Sequence, residues 1–294
     1  MKINNKKIIV STLALAMGAA LAGSISGSVA WYQYSTRASA SVSGTTAGTS
    51  RELLVRVGDS EFAQHLPSAT ILSKAIAGGD GELLPVGAVI ASNEVSSFVG
   101  NPVYQYEDLP VIDHGYIQYK LGFKCVDTTT SAAQVAKKVF LTGLNVTVDS
   151  SLEAAVRIAL SDGTNKYVMS KTEGTTTTQG NLDMNGNGVK DTDEFDQADS
   201  GSSKITYKSG SQASYTTTAW GDLLTSFGTD PYTEPSGATP VTTTKEGSDV
   251  AEVTVSIWIE GWQDLNSKNC WELADALNKT VQVDMRFEVQ ADKD

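Results

Sequence analysis

Ala251-Glu252-Val253-Thr254-Val255-Ser256-Ile257-Trp258-Ile259-Glu260 and Val281-Gln282-Val283-Asp284-Met285-Arg286-Phe287-Glu288-Val289-Gln290 decide the fold class. In each, an apolar residue alternates with a polar or bulky one over ten positions. Successive side chains of an extended chain point to opposite faces, so this period of two predicts half-buried antiparallel strands with the odd-numbered residues inward. Glu252, Thr254, Ser256, Trp258 and Glu260 are expected on the outer face.

Working outward, the same pattern recurs. Leu53, Val55 and Val57 alternate within 52–58, and Ile117, Tyr119, Leu121, Phe123 and Cys125 alternate within 114–125. Apolar stretches at 69–76, 84–91, 139–148 and 154–160 are further strand candidates. Gly78-Gly79-Asp80-Gly81 and Ser161-Asp162-Gly163-Thr164 are turn signatures, the second leading into a strand at 166–170. Residues 128–136 fit a short helix or a crossing loop, and Cys270–Leu277 fits a short helix. From about 171 to 247 the alternation fails: a threonine run, Ser/Gly-rich segments and Pro231, Pro235 and Pro240 read as a loop-rich insertion outside the core. A small docked helix is expected around Trp220 and Leu223–Phe227. About eight to ten strands with so little helix predict an all-β fold, a jelly-roll-like antiparallel β-sandwich with long loop insertions and one or two short helices.

The N-terminus carries a second kind of information. Lys2, Lys6 and Lys7 precede an apolar run, Ile8–Ala22, and Gly27-Ser28-Val29-Ala30 supplies the small residues a signal peptidase requires. These are the three parts of a secretory signal, with cleavage expected after Ala30. The other reading is an uncleaved anchor, for which the apolar run is short against the roughly 20 residues of a membrane span. Past the cut, Tyr32, Tyr34, Ala38, Ala40 and Val42 share one strand face, and Gln33, Ser35, Arg37, Ser39 and Ser41 share the other. With Trp31 this arm spans 31–43, and small residues at 44–50 link it to the first core strand. Domains are therefore expected at 1–30 (signal), 31–50 (arm and linker) and 51–294 (sandwich with its insertion).

The boundary Gly27-Ser28-Val29-Ala30-Trp31-Tyr32-Gln33-Tyr34-Ser35, followed by a small-residue strand, resembles that of the TasA/camelysin-like family. In place of that family's frequent Phe-Ser-Asp, this chain has Tyr34-Ser35-Thr36. The resemblance implies export through a dedicated signal peptidase, a β-sandwich, and use as a subunit of extracellular matrix fibres. It also raises a protease activity reported for camelysin-like proteins, for which this chain offers no zinc ligand set.

Net charge is −12, and the leader holds three lysines and no acid, so the exported chain would carry −15. Such a surface disfavours nucleic acid and anionic membranes and suits a soluble secreted protein or one that meets divalent cations. Cys125 and Cys270 are either one disulfide, as an exported protein favours, or two buried thiols. The C-terminus predicts no wall anchor, since it has neither an apolar tail nor a sorting signal.

Asp183-Met184-Asn185-Gly186-Asn187-Gly188-Val189-Lys190-Asp191-Thr192-Asp193-Glu194 has the oxygen spacing of a calcium loop. Side chains of Asp183, Asn185, Asn187, Asp191 and Glu194 and the Val189 carbonyl would surround one ion, with Gly186 at the sharp turn. The bland reading is an acidic Asn-Gly loop. A structural calcium is expected, ordering an insertion without a core of its own. His65 and His114 lack any metalloprotease context and read as surface histidines. Trp258, Trp262 and Trp271 read as core or rim packing, or as a platform for a sugar. Asn145 and Asn278 begin weak glycosylation sequons.

The function expected is that of a secreted structural subunit, not an enzyme. Its arm (Trp31, Tyr32, Tyr34, Ala38, Ala40, Val42) would add as a strand to the next copy in a head-to-tail filament, with minor matrix subunits or glycans as further partners. Folding back into its own sandwich is the arm's other fate. A secreted calcium-dependent glycan- or surface-binding module is the alternative function, and a camelysin-like protease the third.

Overall fold

A computed structural model describes residues 36–46, 51–99, 111–129, 133–178, 194–195, 205–206, 213–227, 233–234, 236–261, 264–265, 268–269 and 279–290. The leader, Trp31, Tyr32, Tyr34 and the 270–277 segment lie outside them.

In chain order the strands are β1 (Thr36–Thr46), β2 (Arg51–Val57), β3 (His65–Leu66), β4 (Glu82–Leu83), β5 (Pro85–Ala91), β6 (Glu94–Val99), β7 (Val111–Ile112), β8 (Ile117–Asp127), β9 (Ala133–Val135), β10 (Lys138–Val148), β11 (Val156–Ser161), β12 (Lys166–Ser170) and β13 (Gly174–Thr178). There follow β14 (Glu194–Phe195), β15 (Ile205–Thr206), β16 (Ala213–Ala219), β17 (Thr242–Thr243), β18 (Ala251–Glu260), β19 (Asp264–Leu265), β20 (Lys268–Asn269) and β21 (Thr280–Val289). Among the described residues one helix, α1 (Ser68–Ser73), lies between β3 and β4. No helix among the described residues is long and apolar enough to cross a membrane.

The chain forms the expected all-β sandwich. The smaller sheet runs β17-β10-β21-β1-β3, with β4 also pairing β1. In the larger sheet β18 lies between β8 and β11; β2 and β9 pair β8, and β11 leads through β12 and β16 to β13. Among the described residues three ladders are parallel: β1 with β21, β18 with β5, and β12 with β16. The sandwich is therefore mixed rather than purely antiparallel.

Between the sheets lies the main core, and the alternating residues fill it. Leu53, Val55, Val57, Ile117, Tyr119, Leu121, Phe123, Cys125, Val253, Val255, Ile257, Ile259, Val283 and Phe287 are completely buried. Phe123 from one sheet meets Phe287 from the other edge to face, with centroids 5.0 Å apart.

Several expectations are corrected. The 69–76 stretch forms α1, not a strand; extended Pro67 caps it and buried Ile71 anchors it. Residues 133–135 add a strand to β8 where a short helix or a crossing loop was expected. The threonine run 175–178 is a strand, β13, paired with β16. Part of the supposed insertion joins the cores: Tyr215, Leu223 and Val241 are buried. Around Trp220 the chain forms a turn rather than a helix, and Phe227 packs edge to face on Phe140.

The largest correction concerns the outer face of β18. Ser256, Trp258 and Glu260 are as buried as the inward residues. A second apolar cluster covers them, built from Val86, Ala88 and Ile90 of β5, Phe98 of β6, Tyr116, and Tyr215 of β16. Polar alternation predicts a solvated face only where no further layer folds over it.

Candidate strand-exchange site

The described part of the predicted arm, 36–43, lies in β1, which runs on to Thr46 into the stretch expected as linker; β1 is an interior strand of the smaller sheet, between β21 and the short β3 and β4. It runs parallel to β21 in one unbroken register from Arg37↔Thr280 to Thr46↔Val289. Alternation places Ala38, Ala40 and Val42 in the core, at 7%, 1% and 0% exposure. Burial of Val42 contributes roughly 1.5–3 kcal/mol and the alanines less, so main-chain pairing carries much of the strand's hold.

The other edge of β1 is closed by short pieces. Thr36 and Arg37 pair β4, and Val42 and Ser43 pair β3, both antiparallel. The Ala38 N–H donates to the Gly81 carbonyl at 2.8 Å, and the Gly44 N–H to the Gln64 carbonyl at 2.8 Å. Between them, the Ala40 N–H donates to Ser68 Oγ at 3.3 Å, so the hydroxyl that opens α1 bridges the gap between β3 and β4. Gly81, at φ +74°, takes a backbone conformation that side chains disfavour, and this turn brings its carbonyl to β1. Segment 65–83 is thus a strap along the arm. Sequence reading located its glycine turn but not its role.

On the half-buried outer side of β1, Ser41 Oγ donates to Asp284 Oδ1 at 2.5 Å. The Arg37 guanidinium donates to the Asp80 carbonyl at 2.9 Å.

Of the other predicted site residues, Asp183, Asn185, Asn187, Val189 and Asp191 lie outside the described residues; Glu194 opens β14, which pairs β15. Cys125 is buried on the inner face of β8, opposite Leu53 and Val135, while Cys270 lies outside the described residues. His65 is an exposed residue of the strap, paired with Ser43. His114 is exposed beside Asp113, its Nδ1 3.3 Å from Oδ1. Trp258 is fully buried, which removes it from any sugar platform.

A buried polar group was missed by sequence reading. Tyr215 Oη and Trp258 Nε1 both donate to Glu260 Oε2, at 2.5 and 3.0 Å. Nearby on the same outer face of the sheet, Ser170 Oγ donates to Thr217 Oγ1 at 2.6 Å. The usable signal was Trp258 itself, a large aromatic on the nominally polar face of a strand. The Tyr215–Glu260 bond ties β16 to β18 and the Ser170–Thr217 bond ties β12 to β16, a structural role.

No family model matches the chain, and no curated protein or solved structure matches it either.

Proposed function

We propose that the protein is a secreted structural subunit that polymerises by exchange of β1 between copies. The observation that carries this reading is the place of β1: an N-terminal strand, flanked on both sides in its sheet, held along its full length by main-chain pairing with β21 and by small side chains. A strand held in this way can leave its slot beside β21 and be replaced by the same strand of another copy with identical contacts. Cleavage after Ala30 would release the arm's leading end. Because each copy then both gives and receives one arm, the contact is head-to-tail and propagates into a filament. The resemblance of the leader boundary to TasA/camelysin-like proteins supports the same reading, and so does the acidic, soluble composition. Calcium held by Asp183, Asn185, Asn187, Val189, Asp191 and Glu194 would order the segment between β13 and β16.

Electron microscopy of the chain from Trp31 tests the reading, alongside a Ser41→Cys/Asp284→Cys variant oxidised at low concentration. Filaments from the first, with none from the second until it is reduced, are expected. Filaments from the oxidised monomer, or none from either, would overturn the proposal.

A further inference from the structure

The arm poses a register problem that its own sequence leaves open. An odd slip along β21 would turn Arg37, Ser39, Ser41 and Ser43 into the core, so it is excluded by the alternation. A slip of two preserves inside and outside. At the places of Ala38, Ala40 and Val42 it would mostly exchange alanine and valine, with Thr36 entering at Ala38's place in one direction and Gly44 at Val42's in the other, and it would leave a serine opposite Asp284, because Ser39, Ser41 and Ser43 are all serines. The exposed hydrogen bond from Arg37 to the Asp80 main-chain carbonyl discriminates weakly.

Gly44 is different. It is the fourth inward position of β1, and it packs where the arm passes β2. A Cβ there would lie 2.7 Å from the Leu53 carbonyl oxygen and 3.2 Å from Val55 Cγ1. A carbon ordinarily stays about 3.3 Å or more from such an oxygen. The oxygen is main chain, on a strand fixed by pairing with β8 from Arg51↔Asp127 to Val57↔Leu121, so it cannot swing aside as a side chain would. Slips of two in either direction bring Val42 or Thr46 to this point.

We infer that Gly44 is the register key of the slot: the arm seats where its glycine meets Leu53, whether the arm comes from the same chain or from a second copy. Only the second case rests on the strand-exchange reading. The Leu53–Val55 ridge is the lock, and it selects arms carrying a residue without Cβ at one inner position, two places after a valine.

The test is cysteine cross-linking in the full exported chain, with Cys270→Ser. Ser41→Cys/Asp284→Cys reports the native register, and Ser39→Cys/Asp284→Cys reports a slip of two. With the natural arm, cross-linking is expected at 41 and not at 39. Transposing the key (Val42→Gly with Gly44→Val) should move cross-linking from 41 to 39. Gly44→Ala alone should lower cross-linking at 41, whereas the control Ala40→Gly should preserve it. Unchanged cross-linking at 41 in both the transposed arm and Gly44→Ala would overturn the inference. Non-reducing electrophoresis separates the two proposals. Cross-links that obey position 44 but occur only within monomers leave the key standing and sink polymerisation; ladders indifferent to position 44 do the reverse.

Discussion

Ser41 donates a hydrogen bond from Oγ to Asp284 Oδ1 at 2.5 Å, joining the first strand to the last across 243 residues of sequence. The pair is half-buried and its acceptor is a carboxylate. Ser41→Ala is expected to lower stability by about 1–2 kcal/mol, within the range for bonds to charged groups after allowing for partial solvation. Ser39→Ala, which removes no such bond, should fall within about 0.5 kcal/mol of the natural chain. Urea unfolding midpoints of the two variants check the contrast.

Glu260 has no exposed surface, and Tyr215 and Trp258 donate to the same oxygen. Tyr215→Phe should cost about 1–3 kcal/mol, because a buried acceptor loses a donor that water cannot replace. Trp258→Ala should cost more, about 3–5 kcal/mol, since it also empties the second cluster and the edge contact with Phe98. Chemical denaturation again decides, and a Tyr215→Phe effect near zero would mean that water reaches Glu260.

Phe287 is the point where the two sheets meet, edge-on to Phe123. Phe287→Ala should destabilise by about 3–5 kcal/mol and Phe287→Leu by clearly less, because leucine refills most of the void. Thermal unfolding of both variants would show the order.

Asp149 provides a dependence on acid. A hydrogen bond from the Ser151 hydroxyl, then the Ser151 N–H and the Lys279 ammonium, hold its pKa down to about 2, against an ordinary value of 3.8. A folded-state pKa below the unfolded one means that the contribution is complete above about 3.8 and is lost as pH falls toward 2. The Asp149 side chain is solvated, so the effect is small. The expected result is that Asp149→Asn flattens the fall in unfolding midpoint between pH 4 and 2, roughly the window set by the two pKa values. An unchanged slope would remove this residue from the acid response.

Calcium binding by the 183–194 loop would appear in titration calorimetry of the exported chain. Asp183→Asn with Glu194→Gln should abolish the heat of binding, because both residues supply charged ligands and Glu194 would close the shell. Binding of equal strength in the double variant would place any calcium elsewhere.

How much of this was legible can be stated residue by residue. Leu53 to Val57, Ile117 to Cys125, and the two closing strands declared themselves because a strand's two faces are written in adjacent side chains. Gly78 to Gly81 and Asp162–Gly163 declared their turns through local backbone preference. The arm's alternation around Ala38, Ala40 and Val42 was equally readable, and its small side chains already suggested a strand held by its backbone. Pairing was not readable. Nothing local in Thr36–Thr46 says that its neighbour is Thr280–Val289, in parallel, or that a strap from His65 to Leu83 closes its other edge. Those choices depend on contacts between residues far apart in the chain.

By itself, then, the sequence determined the all-β class, most strands and their inward faces, since period and turn chemistry are properties of neighbouring residues. Tertiary structure alone decided that Trp258 and Glu260 are covered by a further layer, and that Gly44 lies against the Leu53 carbonyl. Both are consequences of what packs on a face, and a face does not encode its own cover.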